Sequence, residues 1–172
     1  MQKTTCPFCQ KSKNLQACGS CHETVCKNCA QFITEETFKY SQTLLNKKFH
    51  QVYCPTCFNH EVADDLNKYE SLVEQAKEVA VFDVSQSKET RLIKRLEKPF
   101  KLENETDRDD ATMKLAYLAA EKGFNSIIDV DIKGTKIRDG SYQTTIYTCT
   151  AIPAQVSDRK LIKDRSLRSY PN

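Results

Sequence analysis

Four Cys-x-x-Cys pairs, Cys6/Cys9, Cys18/Cys21, Cys26/Cys29 and Cys54/Cys57, stand within the first 57 residues of a 172-residue chain, with gaps of 8, 4 and 24 residues between them. A CxxC turn aims two sulfurs at one ion and brings backbone N–H groups close to the thiolates. Two such turns complete a tetrahedral set that is closed to water and therefore structural. Eight cysteines with none left over predict two Zn²⁺ ions, with folding as their role. The spacings do not follow the cysteine runs of ferredoxin-type iron–sulfur proteins.

Pairing between the turns is left open by the spacing. Sequential use makes one site of Cys6, Cys9, Cys18 and Cys21 and another of Cys26, Cys29, Cys54 and Cys57. Interleaved use joins Cys6, Cys9, Cys26 and Cys29, and separately Cys18, Cys21, Cys54 and Cys57. Only "HETV" lies between the second and third pairs. Two turns that close do not converge easily on one ion but serve two ions across a short hairpin, and both schemes allow that.

The surrounding text, "CPFC", "ACGSCHETVCKNC" and "CPTC", resembles the cross-brace treble-clef fingers of the RING, FYVE and PHD families over about 55 residues. In those families the first and third pairs share one ion and the second and fourth share the other. The resemblance thus implies Cys6, Cys9, Cys26 and Cys29 as site 1, and Cys18, Cys21, Cys54 and Cys57 as site 2. The departures narrow what else it implies. "LQACGSCH" has none of the basic, His-rich text with which FYVE fingers grip a lipid. PHD fingers place His at the fifth ligand and an aromatic two residues before the seventh, where this chain has Cys26 and Val52. The loop "QKSKNLQA" is shorter than is usual for a RING, although Phe8 and Pro55 fit the groove by which RING ligases hold a conjugating enzyme.

Composition agrees with small, stapled units. The hydrophobic fraction is 39% with no Trp, which favours metal-supported modules over one large core. No apolar run reaches the length that spans a membrane, and "MQKTTCPFCQ" lacks the apolar stretch of a secretory signal. The expected setting is the cytoplasm, where thiols stay reduced and CxxC pairs bind metal in preference to forming disulfides. The formal charge of +3 counts every Cys as neutral. Two Zn²⁺ ions, each held by four thiolates, would bring the total to about −1. Net charge therefore gives no argument for nucleic-acid binding.

Beyond the cysteines, "NHEVADDLNKYESLVEQAKEVA" (59–80) repeats Leu66, Tyr69, Val73, Ala76 and Ala80 at helical steps, which predicts one amphipathic helix. "VAVFDV" (79–84) reads as a strand, and Pro99 argues against a helix through 91–103. Residues 106–123 form the clearest helix, with Thr106 or Asp107 as cap, acids in the first turn and Gly123 as its stop. "SIIDVDI" alternates as a half-exposed strand, Asp-Gly in "RDGS" (138–141) marks a tight turn, and "YQTTIYTCTAI" returns as a strand. The basic "SDRKLIKDRSLRSYPN" is expected to be a loose tail.

Residues 106–152, and "KGFNSIIDV" with Gly123 and Asn125 in particular, are also similar to the YbjQ-like bacterial family named for heavy-metal binding. Members are small oligomers, so that resemblance implies self-association through this part of the chain. It also implies a bacterial or phage setting.

The remaining clusters have simple readings. His22, His50 and His60 are surplus to two filled tetrahedral sites. Cys149 is a buried structural thiol. Asp107, Asp109 and Asp110 serve the helix start, and Asp129 and Asp131 lie on a solvated strand face. Arg91, Lys94, Arg95, Lys98 and Lys101, interrupted by Glu89, Glu97 and Glu103, form a solvated edge. No catalytic triad, open three-ligand site or phosphate-cradling loop is visible in a chain with four Gly.

The expectation is an α+β chain in four parts: a double zinc finger of the cross-brace treble-clef type over 1–60, a helical connector over 61–78, a small α/β sandwich with an antiparallel hairpin over 79–156, and a basic tail over 157–172. The expected function is that of a non-enzymatic adaptor binding another protein, with possible homo-oligomers through the C-terminal domain. A RING-like ubiquitin ligase is the first alternative and a nucleic-acid-binding finger the second. Nucleic acid is the less expected partner, and no membrane is expected.

Overall fold

The computed structural model describes residues 5–47 and 49–157, and of Asp139 the backbone only. The tail expected over 157–172 thus lies outside the described residues apart from Ser157. Contacts divide the chain into two compact units between Ser71 and Leu72. Among the described residues no helix is long and apolar enough to cross a membrane.

The N-terminal unit is built from very short elements. Strands β1 (Leu15–Ala17) and β2 (Thr24–Cys26) pair antiparallel, Leu15 opposite Cys26 and Ala17 opposite Thr24. Strands β3 (Gln31–Phe32) and β4 (Val52–Tyr53) pair Gln31 with Tyr53. The long gap between them is organised by a 3-10 turn (Glu35–Phe38), helix α1 (Gln42–Leu45) and a small aromatic cluster. Phe38 stacks on Phe49 at 5.1 Å between centroids and meets the edge of Tyr69 at 5.4 Å. The Tyr69 hydroxyl accepts the Tyr40 amide at 3.3 Å.

The single helix expected over 59–80 is two. Helix α2 (Pro55–Glu61) starts inside the last CxxC, and α3 covers Ala63–Lys77. Between them Val62, fully buried, leaves helical geometry at φ −124°. Burying that side chain and starting a helix at Pro55, whose missing N–H costs nothing at a first turn, set the break. Neither signal is periodic.

The C-terminal unit has one mixed sheet in the order β5-β7-β8-β6. Strand β5 (Ala80–Asp83) runs parallel to β7 (Ser126–Asp139), while β7 and β6 (Phe100–Glu105) flank β8 (Tyr142–Ala154) antiparallel. A 3-10 turn (Val84–Gln86) and helix α4 (Ser87–Thr90) follow β5. Pro99 immediately precedes β6, consistent with its exclusion from helix. Helix α5 (Arg108–Glu121) packs its Ala111, Leu115, Ala116, Ala119 and Ala120 face against the sheet. The cap is Asp107, whose carboxylate accepts the amides of Asp109 and Asp110 at 2.9 and 2.8 Å. At the other end Gly123, at φ +79°, lets the Phe124 amide reach the Ala119 carbonyl at 2.9 Å while its own amide donates to Ala120. That left-handed residue is one that only Gly adopts without steric cost.

The alternation expected for "SIIDVDI" holds over Ile128–Asp131, with Ile128 and Val130 buried and Asp129 and Asp131 half-buried, but not at its start. Ile127 and Ile128 are both fully buried, and the β7–β8 register shifts between Ile128 and Asp131. Asp129 sits at this bulge with φ +52°. The extra residue re-aims its carboxylate, which Arg95 grips through Nε at 2.5 Å and Nη2 at 2.8 Å. Arg95 is exposed, as expected of a solvated edge, and in addition holds this carboxylate. It also donates to the carbonyls of Thr90 and Ile93. Asp131 pairs separately with Lys133 at 2.6 Å.

Candidate metal centres

The first two cysteine pairs have one and the same backbone design. The Gln10 amide donates to the Cys6 carbonyl and the Cys6 amide to the Lys11 carbonyl, both at 2.8 Å. Twelve residues on, His22 donates to Cys18 at 3.0 Å and Cys18 to the Glu23 carbonyl at 2.9 Å. Each turn closes through a residue in left-handed conformation, Gln10 at φ 62° and His22 at φ 61°. The other two pairs are helical turns. Cys29 and Ala30 both donate to the Cys26 carbonyl at 2.9 Å, and Cys54 caps α2, its sulfur facing the Cys57 amide at 3.5 Å. Each site takes one pair of each kind.

The cysteines gather in two sets, Cys6, Cys9, Cys26 and Cys29, and Cys18, Cys21, Cys54 and Cys57, with all sulfurs of a set within 4.8 Å of one another. This is the interleaved arrangement, and the sequential one is not formed. Strand geometry gives the reason. The Cys18/Cys21 turn is the tip of the β1–β2 hairpin, and each extended residue advances about 3.4 Å. Strand β2 thus carries Cys26 to the far end of the hairpin, where Lys27 donates to the Asn14 carbonyl at 3.0 Å, beside the first turn. The β3–β4 pairing then returns the chain to the tip. The Gly19 amide donates to the Val52 carbonyl at 2.9 Å, and the Cys54 amide points at the Cys18 sulfur at 3.3 Å.

The donor sets fit a tetrahedral thiophilic ion. Four sulfurs about 2.3 Å from a central Zn²⁺ stand about 3.8 Å apart. The Cys21–Cys54 separation is 3.8 Å and the Cys9–Cys26 separation 3.4 Å. All nine cysteines are free thiols, not disulfides.

The thiols are electrostatically unequal. Burial pushes the Cys6 thiol up, but the backbone amides of Cys26, Phe8 and Cys9 overcome this and bring it down to about 6. Cys18 is likewise raised by burial yet brought to about 7 by the amides of Cys54, Cys21 and Ser20. Cys26 is lowered as well, its burial offset by the Cys9 thiol and the Cys29 amide, whereas one thiol of each set moves strongly the other way. Cys29 is pushed up to about 12, first by its thiol's contacts with Cys26 and Cys9, and Cys57 to about 12, first by burial and then by the thiols around it. In each set the thiols thus differ in how readily they ionise, and a cation would offset the mutual repulsion of the thiolates.

The three histidines stand outside both sets. His50 packs on Gly19, where an added Cβ would meet its Cβ at 2.5 Å, and its amide donates to the Tyr53 hydroxyl at 3.1 Å. Cys149 is buried in β8, paired with Leu102 and Ile132, and burial raises its thiol. Asn125 was legible only as part of a turn motif, yet its side chain makes two 2.8 Å hydrogen bonds to the Val156 backbone and fixes the chain after β8.

Two closed four-sulfur sets on short hairpins and helical turns are consistent with zinc-finger-like metal sites. Comparisons with family models, with curated proteins and with solved structures find no match to this chain.

Proposed function

We propose that the chain is a zinc-dependent adaptor: a cross-brace finger of the treble-clef type whose two Zn²⁺ ions are structural, coupled to a small α+β unit, and whose task is to bind another protein. The observation that carries this reading is closure. Each set has four sulfurs, two of them buried, and the amides around the sulfurs are already directed at thiolates, which leaves an ion no open position for a substrate. The apolar cluster that contains cysteines of both sets supports a folding role. It is largely the cysteines themselves, with Val25, Ala30, Leu15 and Val52. Native mass spectrometry of the intact chain tests the metal content, with two Zn²⁺ expected. Affinity capture with and without zinc tests the adaptor role, where a specific partner retained only by the zinc-loaded chain is the expected result. Zero or one bound ion would remove the double-site reading.

A second reading, a RING-like ubiquitin ligase, is favoured by Phe8, which lies between Cys6 and Cys9 and is 43% exposed. It predicts that the chain stimulates ubiquitin discharge from a charged conjugating enzyme and that Phe8→Ala abolishes this. Absence of stimulation across a panel of conjugating enzymes would exclude it.

A further inference from the structure

Strands β7 and β8 continue well past their neighbours. Strand β5 pairs with β7 only as far as Val130, and β6 pairs with β8 only from Tyr147 onward. The distal part, closed at Gly140 by a left-handed turn (φ +61°), is a two-stranded ribbon. Such ribbons are marginal alone in water, and this one exposes Tyr142 at 79% and Ile137 at 43%.

Its two outer edges differ in chemistry. Strand β7 carries Lys133, Lys136 and Arg138 together with Asp129, Asp131 and Asp139, and charges along an edge hinder pairing with foreign strands. Strand β8 carries no charged residue anywhere along its length. Its distal stretch, "YQTTI" (142–146), also lacks Gly and Pro, and no other strand pairs with its outer side among the described residues. Alternate residues there present N–H and C=O outward with no partner strand among the described residues.

We infer that this edge pairs with the same edge of a second copy, antiparallel about a two-fold axis at Thr144. The register makes the segment complementary to itself. Tyr142 faces Ile146 of the second copy, an aromatic against a β-branched side chain, Gln143 faces Thr145, and Thr144 faces Thr144. Because directly paired residues share a face, Tyr142, Thr144 and Ile146 stand with Ile137 and Thr135. The exposed apolar residues of both ribbons thus join on one side of a four-stranded arm. The order becomes β7-β8-β8-β7, so the charged strands lie outermost. Three strand spacings, about 14 Å, separate them, which exceeds the screening length of about 8 Å at physiological ionic strength. An isologous contact of this kind closes on itself and does not propagate into fibres. Five residues per copy are a small overlap, so the dimer is weak and concentration-dependent.

Sedimentation equilibrium of the full, zinc-loaded chain reads this directly. The wild type is expected to pass from monomer to dimer as concentration rises. Thr144→Lys and Thr144→Glu, at an exposed position, each place like charges against each other at the axis and abolish the dimer, while an equimolar mixture of the two restores it. Hydrogen exchange over β6 and the sheet-forming part of β8 checks that each variant is folded. Thr144→Cys provides a second route, because residues facing each other across a two-fold lie within disulfide reach and oxidise to a covalent dimer. A wild type that stays monomeric, a dimer indifferent to Thr144→Lys, or a charge-swapped mixture that stays monomeric would overturn the proposal. The monomeric outcome would assign the free edge to a strand from another protein.

Discussion

At the scale of single residues, the cysteines of a set are interdependent although they are far apart in sequence. Cys6→Ser and Cys26→Ser remove a sulfur from the same set, whereas Cys18→Ser removes one from the other. Native mass spectrometry should find one ion lost in each case. Alkylation of the remaining thiols should expose Cys9 and Cys29 in the first two variants, and Cys21, Cys54 and Cys57 in the third. Exposure of Cys9 and Cys21 together would point to the sequential scheme. Gly19 offers a sharper probe because the atoms nearest an added side chain there, its chain neighbours aside, are those of His50 and not a sulfur. A Cβ there would sit 2.5 Å from His50, and the hydrogen bond from its amide to Val52 ties the second turn to β4. Gly19→Ala is expected to destabilise the N-terminal unit by about 1–3 kcal/mol through overpacking and to weaken the Cys18 site more than the Cys6 site. Denaturation of the zinc-loaded variant measures the first effect and chelator competition the second.

At the scale of elements, the C-terminal sheet depends on contacts that periodicity does not announce. The Arg95–Asp129 clamp joins residues 34 apart across a bulge, and both side chains are partly screened from water, at 34% and 23% exposure. A bidentate pair of this kind exceeds the usual worth of a surface ion pair. Arg95→Ala should therefore cost about 1 kcal/mol and loosen the amides around the bulge, with the N-terminal unit unaffected. Hydrogen exchange resolved by segment checks this, and unchanged protection at 127–131 would assign the clamp no structural part. Helix α5 is the contrasting case. Its cap, its apolar face and its Gly123 stop are all short-range signals, and the expected helix and the observed one differ by no more than two residues at either end. The strand after it was found at its start, but neither its bulge nor its length was visible.

At the scale of the whole molecule, the two units should respond differently to loss of metal. The N-terminal cluster is made mainly of cysteines, so without ions it is a set of buried thiols with few apolar neighbours. The C-terminal unit has its own core, with Leu115, Ile127, Ile128 and Cys149 fully buried. A strong chelator is expected to unfold the first unit while β6, β7, β8 and α5 keep their protection from exchange. Protection that survives in both units, or is lost in both, would contradict this. Proton competition sets the pH dependence. Metal replaces protons on Cys29 and Cys57, which hold them to about 12 in the absence of an ion. Binding therefore releases protons, and affinity falls as pH is lowered. Zinc affinity measured against a chromogenic chelator should drop steeply between about pH 7.5 and pH 5.5, together with the stability that the metal confers on the N-terminal unit.

The eight clustered cysteines and the best helix were legible in the sequence because each depends on residues within a few positions of one another, whereas the division of the CxxC pairs into two kinds of turn was not. Which cysteines share a set was implied by resemblance to known fingers, but spacing alone did not decide it. That choice required β2 to carry Cys26 along the hairpin and β3–β4 to bring Cys54 back against Cys18, and pairing between strands is a property of the folded chain. The same holds for Val62, Arg95 with Asp129, and Asn125 with Val156. Their partners are distant or backbone atoms, and a distant hydrogen bond leaves no periodic trace. The sequence by itself determined that this protein gathers eight thiols in its first third. The tertiary structure decided that they interleave, because a short extended strand moves a residue too far to serve the ion at its own hairpin tip.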